Sequence, residues 1–455
     1  MRAPKKESAV LPNDDSERAI PRRAAVALCV LLAGLYALTP IQALQYSDSI
    51  VPVLVSTVRW LPFYWGQNRF GMLVPGLTAW VMDPSWNLIA QVAVNAGLSF
   101  VGIVGLGTVL TGDHLGFLSG LATLAVFQLF LSPKVALEFF TTPQPYGPAL
   151  GLGILGLLLI QNTARSNKRV ASLPWIGACL LILFSCWINT ASPLSLSLLV
   201  FIANQSAERP LYPRFVWPML LLVQATALGL GKLFPDGMNY TGMVPAERWL
   251  TNAWNMGSQF FREAPSLALG VWLVFGLVLA FYHLYQSRSS RRAFWKVFGL
   301  PLVALGLLLI IGANAWVDQN QAPWRYGILP FFLLLAWPGT LISLRTRGTR
   351  QVAIVLSVLA FLNIGMLVTQ FGAPSFSHRK SGPFADPQAQ SLLTQGCSVL
   401  GGDYWKVWPL VTAMNQLLHE QGISHPVLGY TTRWEGQGPL IQQARTPHTR
   451  WCEIR

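Results

Sequence analysis

Charged side chains are scarce in this 455-residue chain: only 11% of its residues are Asp, Glu, Lys or Arg, whereas 53% are hydrophobic. A soluble globular protein has about 25% charged residues. The scarcity argues against an ordinary water-soluble domain. It indicates that most of the apolar side chains face lipid or one another rather than water.

Several sequence motifs of soluble enzymes are also missing. The chain contains no Walker loop, no G-x-G-x-x-G ahead of a helix, no H-E-x-x-H and no G-x-S-x-G. These patterns hold phosphates, metals or nucleophiles. No Cys or His spacing resembles a zinc site, and no repeat of fixed period is present. Nucleotide, protease and hydrolase chemistry of the soluble type therefore finds no support.

Long apolar runs fill most of the chain. A helix needs about 20 apolar residues to cross the hydrocarbon core of a bilayer. The runs predict eleven membrane spans, of which 147–161 and 193–205 are short enough to be half-helices. The predicted spans are 24–44, 87–110, 116–132, 147–161, 171–189, 193–205, 212–230, 266–286, 297–315, 326–344 and 351–370.

The net charge of +14 has two possible explanations. It indicates either a nucleic-acid partner or the excess of Lys and Arg that membrane proteins carry in their cytoplasmic loops. The short basic loops fall on every second connection, which is the positive-inside pattern. It predicts a multi-pass plasma (inner) membrane protein with a cytosolic N-terminus and a periplasmic or extracellular C-terminus. No nucleic-acid partner is expected, because no basic stretch is interleaved with exposed aromatics. The basic loops are 22–23, 165–169, 209–214, 288–296 and 345–350.

The long outer connections 45–86 and 231–265 are too apolar for free loops, and they predict amphipathic helices that lie in the membrane interface and cover the outer end of the bundle. From Gly372 onward, polar sequence with alternating Val and Leu predicts short strands and a helix near 407–420. The expected fold is an all-α polytopic membrane bundle of about 11 transmembrane helices, with interfacial helices in the first outer loop and a small α/β C-terminal domain outside.

This fold divides the chain into three parts. Residues 1–23 are polar and predict a disordered cytosolic lead, residues 24–370 form the bundle, and residues 371–455 form the outer domain. A signal peptide is the alternative for the first apolar run, but the run is long and lacks a small-residue cleavage site.

The two cysteines of the polar tail, Cys397 and Cys452, lie where the charge pattern predicts an oxidising compartment. A disulfide between them is the expectation, and two free thiols are the alternative. Cys29, Cys179 and Cys186 lie in apolar spans and are most simply small core residues.

Asp48 is the first candidate for chemistry, because it follows the first apolar run directly, in Gln45-Tyr-Ser-Asp48-Ser-Ile-Val-Pro52. A carboxylate at a membrane boundary is costly to leave in lipid and can serve as a base in a partly dry cavity. The structural alternative is a helix cap.

Basic and aromatic residues near the same boundary are candidates for substrate binding. Arg59 and Arg69 follow Asp48 in an otherwise aromatic segment, and Arg325-Tyr326 stand at the outer end of the tenth span. Guanidinium groups hold phosphate by bidentate hydrogen bonds. Snorkelling to lipid phosphate is the alternative for Arg325. Glu138, in the second outer connection, is a further candidate, with simple solvation as its alternative.

An acidic residue after the first span, a long first outer loop, about ten further spans, a late Arg-Tyr…Pro element and an outer tail together resemble the GT-C class of polyprenyl-phosphate-sugar-dependent glycosyltransferases. The resemblance implies transfer of a hexose or pentose from a polyprenyl-phosphate donor to a glycan, lipid or protein acceptor on the outer face. Asp48 would deprotonate the acceptor and Arg325 would face the phosphate. Many members carry paired acidic residues, whereas Asp48 stands between serines, so the resemblance leaves a divalent metal open.

Two other function classes remain open from the sequence. A transporter or flippase of a lipid-linked or polar substrate should show repeats and ionisable residues in the middle of its spans, whereas here the ionisable residues gather at the outer ends. A non-catalytic subunit of cell-envelope glycan assembly would tolerate loss of Asp48.

The tail segment Gly401–Pro409 is rich in aromatics, which either hold a glycan or form the core of the small domain.

Overall fold

The computed structural model is mostly helical. It describes residues 15–39, 47–63, 71–113, 115–141, 146–165, 173–231, 233, 242–264, 266–287, 290–342, 349–377, 384–431 and 449–454. The helices are α1 (Asp15–Ala37), α2 (Ser47–Thr57), α3 (Leu73–Thr78), α4 (Pro84–Thr111), α5 (Gly116–Phe130), α6 (Pro133–Ala136), α7 (Tyr146–Arg165), α8 (Leu173–Ile188), α9 (Ser192–Ser206), α10 (Val216–Gly231), α11 (Ala246–Glu263), α12 (Ser266–Gln286), α13 (Arg291–Gly312), α14 (Ala315–Gln319), α15 (Ile328–Leu341), α16 (Thr349–Phe371), α17 (Pro387–Thr394) and α18 (Tyr404–Glu420).

Each of the eleven predicted spans coincides with a helix in the described residues. Five helices are long and apolar enough to cross a membrane: Pro84–Thr111, Tyr146–Arg165, Leu267–Gln286, Arg291–Gly312 and Arg350–Phe371. The other six predicted spans correspond to helices whose apolar stretch is shorter. The membrane-helix character of the chain is therefore established, and the count of eleven crossings stays a prediction.

The first helix is shifted from its predicted position at both ends. It begins at Asp15, inside the segment that we expected to be disordered. It ends at Ala37, before Pro40, which cannot continue a helix and restricts the residue before it. Asp48 therefore belongs to a separate helix and does not end the first span.

Close contacts between the central helices depend on glycine. A side chain at Gly120 would overlap the backbone of Val104, and a side chain at Gly151 would overlap the backbone of Leu98. α4 thus approaches both α5 and α7 at backbone distance, as helices in membranes commonly do at small residues. α4 is the central element of the bundle.

The tail contains the predicted α/β unit. Strands β1 (Val399–Gly402), β2 (Leu428–Thr431) and β3 (Trp451–Ile454) form a parallel sheet in the order β2-β1-β3. Cys397 and Cys452 are joined by a disulfide with 5.8 Å between their Cα atoms. Its loop of 55 residues corresponds to a stabilisation of about 4 kcal/mol in the chain-entropy model.

Helix α2 lies between the bundle and the tail, so protein covers the helix that we expected at the membrane interface. Ile50 and Val53 pack into the main core of the bundle. Val51, Leu54 and Val55 pack into a second core formed by α17, α18 and the strands of the tail. The apolar pattern of α2 thus reflects contact with two protein surfaces.

The outer connection 231–265 contains an amphipathic helix, α11. Its residues Asn252, Ala253, Met256 and Phe260 are buried, and Trp254 on the opposite face is 75% exposed. This agrees with the expected cover over one end of the bundle.

The positive-inside pattern generates a labelling prediction for three exposed positions. A membrane-impermeant maleimide should label Trp254→Cys in α11 and Gln421→Cys after α18 in intact cells, because four predicted crossings separate these positions. Arg291→Cys, before α13, should react only after permeabilisation. Labelling of Trp254→Cys and Arg291→Cys from the same side would show that α12 does not cross the membrane.

Candidate functional site

One carboxylate joins three distant parts of the chain at one end of the bundle. Arg325 Nη1 lies 3.2 Å from Asp48 Oδ2, and the hydroxyl of Tyr404 donates a hydrogen bond of 2.6 Å to Asp48 Oδ1. The side chain of Asp48 is 19% exposed and that of Arg325 is 26% exposed, whereas Tyr404 is buried. A cation and a phenol therefore hold the carboxylate in a site that solvent still reaches.

The local sequence places Asp48 in the first turn of α2, which begins at Ser47. A helix N-terminus carries partial positive charge and stabilises an anion there by about 0.3–1 kcal/mol. Pro52, four residues later, lacks an N–H and so leaves the backbone carbonyl of Asp48 without its usual helical donor. Both the carboxylate and the carbonyl of Asp48 are thus placed for contacts outside the helix.

A strained turn places Arg325. Arg325 lies in the 3-10 segment Trp324–Gly327 that leads into α15. Two residues just before it, Gln321 and Ala322, have φ angles of 64° and 46°. Non-glycine residues in this region cost on the order of 1–3 kcal/mol each, and such strain concentrates at functional sites. No pattern in the sequence indicated this turn.

Aromatic contacts hold the same segment in place. Trp324 is buried, its backbone N–H donates to Gln259 Oε1 at 3.3 Å, and its ring packs against Phe260 of α11. The guanidinium of Arg325 lies 5.7 Å from the ring centre of Tyr326, within cation–π distance. The predicted site residue Tyr326 therefore supports Arg325 directly.

Among the described residues, the contacts of Asp48 do not include Arg59. Arg59 is exposed and follows the C-terminal end of α2, about 16 Å along the chain from Asp48 at a helical rise of 1.5 Å per residue. Arg69 lies outside the described residues.

Glu138 lies in a π-helical turn, Leu137–Thr141, and is only 7% exposed, so the solvated alternative is wrong. π-helical turns are rare overall, and those that occur are often found at functional sites. The adjacent residues line an apolar pocket that reaches α15 one turn beyond Arg325. The pocket is lined by Ser99, Ile103, Phe139, Phe140, Tyr146, Gly147, Leu150, Ile328, Leu329 and Phe332.

A row of buried polar side chains along α4 was missed by the sequence analysis. Asn87 Nδ2 lies 2.8 Å from Ser56 Oγ, and Gln91 Nε2 donates to Pro52 O at 3.1 Å. The sequence signal was present, because Asn87, Gln91, Asn95 and Ser99 follow one another at intervals of four and therefore share one helix face. The row connects α2 to the level of the apolar pocket at Ser99.

The far end of α18 has a second anchor on the bundle. Asp83 N-caps α4 through the N–H of Trp86, and it also accepts from Gln416 Nε2 at 3.2 Å and lies 3.9 Å from His419 Nε2. Burial alone would raise the pKa of Asp83, but the hydrogen bonds of Ser85, Trp86 and Gln416 and the charge of His419 lower it overall.

The tail aromatics divide between the two roles considered. Tyr404 and Trp408 are buried in the core that α18 shares with α2, whereas Trp405 is 44% exposed. Tyr404 and Trp408 therefore belong to the core of the small domain, whereas Trp405 does not. Tyr404 in addition reaches the candidate site.

In the part of the chain that the structure describes, the oxygen donors at Asp48 do not fit a divalent cation. Within the described residues, no group of three or more His, Cys, Asp or Glu side chains could hold a metal ion. Asp48 contributes one carboxylate beside a guanidinium, whereas hard cations take several oxygen ligands.

The comparisons find no family model and no curated protein that matches the chain. What the site does must follow from its geometry.

Asp83 generates a prediction for pH dependence. Because its pKa is lowered in the folded state, the stability that it contributes is present above the ordinary pKa of Asp and is lost as the pH falls toward the lowered value. Thermal unfolding in detergent should show this loss of stability at low pH in the wild type. The loss should be smaller in Asp83→Asn, which keeps the helix cap but removes the charge.

Asp386→Asn is the matched control, because Asp386 caps α17 within the tail through the N–H of Gln388. This variant should retain the acid dependence of the wild type. An equal acid loss in Asp83→Asn and the wild type would contradict the assignment to Asp83.

Proposed function

We propose that the chain is a membrane glycosyltransferase of the GT-C class, which moves a hexose or pentose from a polyprenyl-phosphate donor to an acceptor hydroxyl on the outer face of the membrane. Asp48 is the general base. The observation that carries the proposal is the contact between Asp48 and Arg325, which are 277 residues apart in sequence and meet at 3.2 Å. A base and a phosphate-binding cation are the two groups that this reaction needs side by side.

The reaction balances with these groups alone. The acceptor oxygen attacks the anomeric carbon of the donor, and the bond between that carbon and the phosphate oxygen breaks. Polyprenyl phosphate leaves with the bonding electron pair, and Asp48 takes the acceptor proton. Arg325 stabilises the negative charge that develops on the leaving phosphate.

The surroundings support this division of roles. A general base must lie within hydrogen-bond reach of the proton that it removes, and Asp48 keeps 19% exposure. The apolar pocket lined by Ile328 and Leu329 begins one turn beyond Arg325 along the chain. Glu138 is the residue next to Phe139 in that pocket wall and stays a candidate for donor binding.

The distribution of ionisable groups favours an enzyme over a transporter. Among the described residues, charged groups pair near the ends of helices, as in Lys134 with Glu263 and Arg248 with Asp318. The buried polar residues of α4 that line its contact with α2 are amides and hydroxyls, not ionisable groups. A transporter commonly carries ionisable residues at the midplane.

Asp48→Asn should lower turnover by about 10²–10⁴, the usual contribution of general-base catalysis, with donor affinity little changed. The assay measures the release of polyprenyl phosphate from proteoliposomes that contain the purified protein. A cell-envelope fraction supplies the acceptor, and a panel of polyprenyl-phosphate hexoses and pentoses supplies the donor.

Asp318→Asn is the matched control, because Asp318 is also 19% exposed and paired with an arginine, Arg248. It should leave turnover near the wild-type value. Near wild-type transfer by a folded Asp48→Asn protein would remove the base role of Asp48, whereas absence of transfer by the wild type would favour a transporter or a non-catalytic assembly subunit.

Arg325→Ala should weaken donor binding rather than abolish proton removal. A lost hydrogen bond to a charged group costs about 1.5–3 kcal/mol, which corresponds to a rise in donor KM of about 10- to 150-fold. Arg248→Ala removes a cation from another ion pair and serves as the control. An unchanged donor KM in Arg325→Ala would show that Arg325 does not bind the donor phosphate.

A further inference from the structure

The C-terminal tail reaches the candidate site through one residue. The hydroxyl of Tyr404 donates to Asp48 Oδ1, whereas Arg325 Nη1 lies near Asp48 Oδ2. The two oxygens of one carboxylate are therefore held by two different parts of the chain, the turn before α15 and the first turn of α18.

The position of Tyr404 is fixed from several sides. Its ring is 5% exposed and packs edge-on against Trp405 at 5.0 Å and against Trp408 at 6.4 Å between ring centres. Its backbone carbonyl accepts a hydrogen bond of 2.9 Å from Ser47 Oγ. Adjacent residues of α2, Ser47 and Asp48, thus contact both the backbone and the hydroxyl of Tyr404.

The packing of α18 onto α2 maintains this geometry. Val51, Leu54 and Val55 share one apolar core with Trp408 and Met414, so the first turn of α18 cannot move away from Asp48 without exposing that core. Asp403 caps the helix by accepting from the N–H of Trp405 at 3.0 Å. The hydroxyl of Tyr404 is thereby held in place by a rigid element.

We propose that Tyr404 is the positioning residue of Asp48 and that the tail thereby completes the site; this inference rests on the proposed glycosyltransferase function. A hydrogen bond from a hydroxyl to a carboxylate at 2.6 Å is a short, charge-assisted bond, and it fixes the plane of the carboxylate. With Oδ1 held, Oδ2 faces Arg325 and the substrate.

The role of Tyr404 is largest when the donor is bound. Arg325 then turns part of its guanidinium toward the donor phosphate and holds Asp48 less firmly. The bond from Tyr404 does not involve the donor and keeps the base oriented toward the acceptor hydroxyl. The tail is therefore needed for turnover rather than for donor binding.

Tyr404→Phe tests this inference, because it keeps the ring in its packing and removes only the hydroxyl. Turnover should fall about 10-fold or more, from the loss of a hydrogen bond to a charged group, with donor KM unchanged. In Asp48→Asn the same substitution should have little further effect, since residues that act through one another are not additive.

Tyr430→Phe, on β2 and 40% exposed, is the matched control and should retain wild-type turnover. Full turnover in Tyr404→Phe, or an additive loss in the double variant with Asp48→Asn, would overturn the positioning role. A lower melting temperature with unchanged turnover per folded molecule would also overturn it, because that result describes a purely structural contact.

The outcomes separate this inference from the proposed function. If Asp48→Asn is inactive while Tyr404→Phe is fully active, only the positioning role fails. If the wild type transfers no sugar, the glycosyltransferase proposal fails and the inference built on it fails too. If Asp48→Asn transfers sugar normally, the base role of Asp48 fails, and the positioning role of Tyr404 fails with it.

Discussion

The structure depends on one partly buried carboxylate. Asp48 pairs with a residue 277 positions away and with another 356 positions away, so three segments with no local connection meet at its two oxygens. Removing a charge from water is costly unless partners compensate it. Here a guanidinium, a phenol and a helix N-terminus provide the compensation together, and the segments that supply them are thereby held at one end of the bundle.

Helix α2 makes this meeting point rigid, because it has no free face. Ile50 packs into the bundle and Leu54 into the core of the tail, while the carbonyl of Pro52 accepts a hydrogen bond from Gln91 of α4. α18 is then fixed at both of its ends, at Asp48 through Tyr404 and at Asp83 through Gln416. The tail is therefore integrated with the bundle at the site, although it contains its own disulfide and sheet.

The sequence predicted what depends on local composition. The helices follow the apolar runs because each run carries its own signal, and the shared end of Asp48 and Arg325 follows from the alternation of the loops. The burial of α2 was not predictable, since Val51, Leu54 and Val55 would look the same facing lipid or facing α18. Tyr404 was identified only as part of an aromatic segment, because its contact with Asp48 depends on the tertiary packing of a helix onto residues 356 positions away.

The pairing of Asp48 with Arg325 also bears on how a base and a phosphate-binding cation share one site. A guanidinium presents five N–H donors in a planar fork, so one arginine can contact a carboxylate and a phosphate together. The ion pair keeps both charges compensated. In the proposed transfer, the donor phosphate would compete for the same cation, and the carboxylate would gain freedom to accept a proton from a hydroxyl. Under that proposal, donor binding and activation of the base are coupled through Arg325, with the donor bound first and the proton removed second.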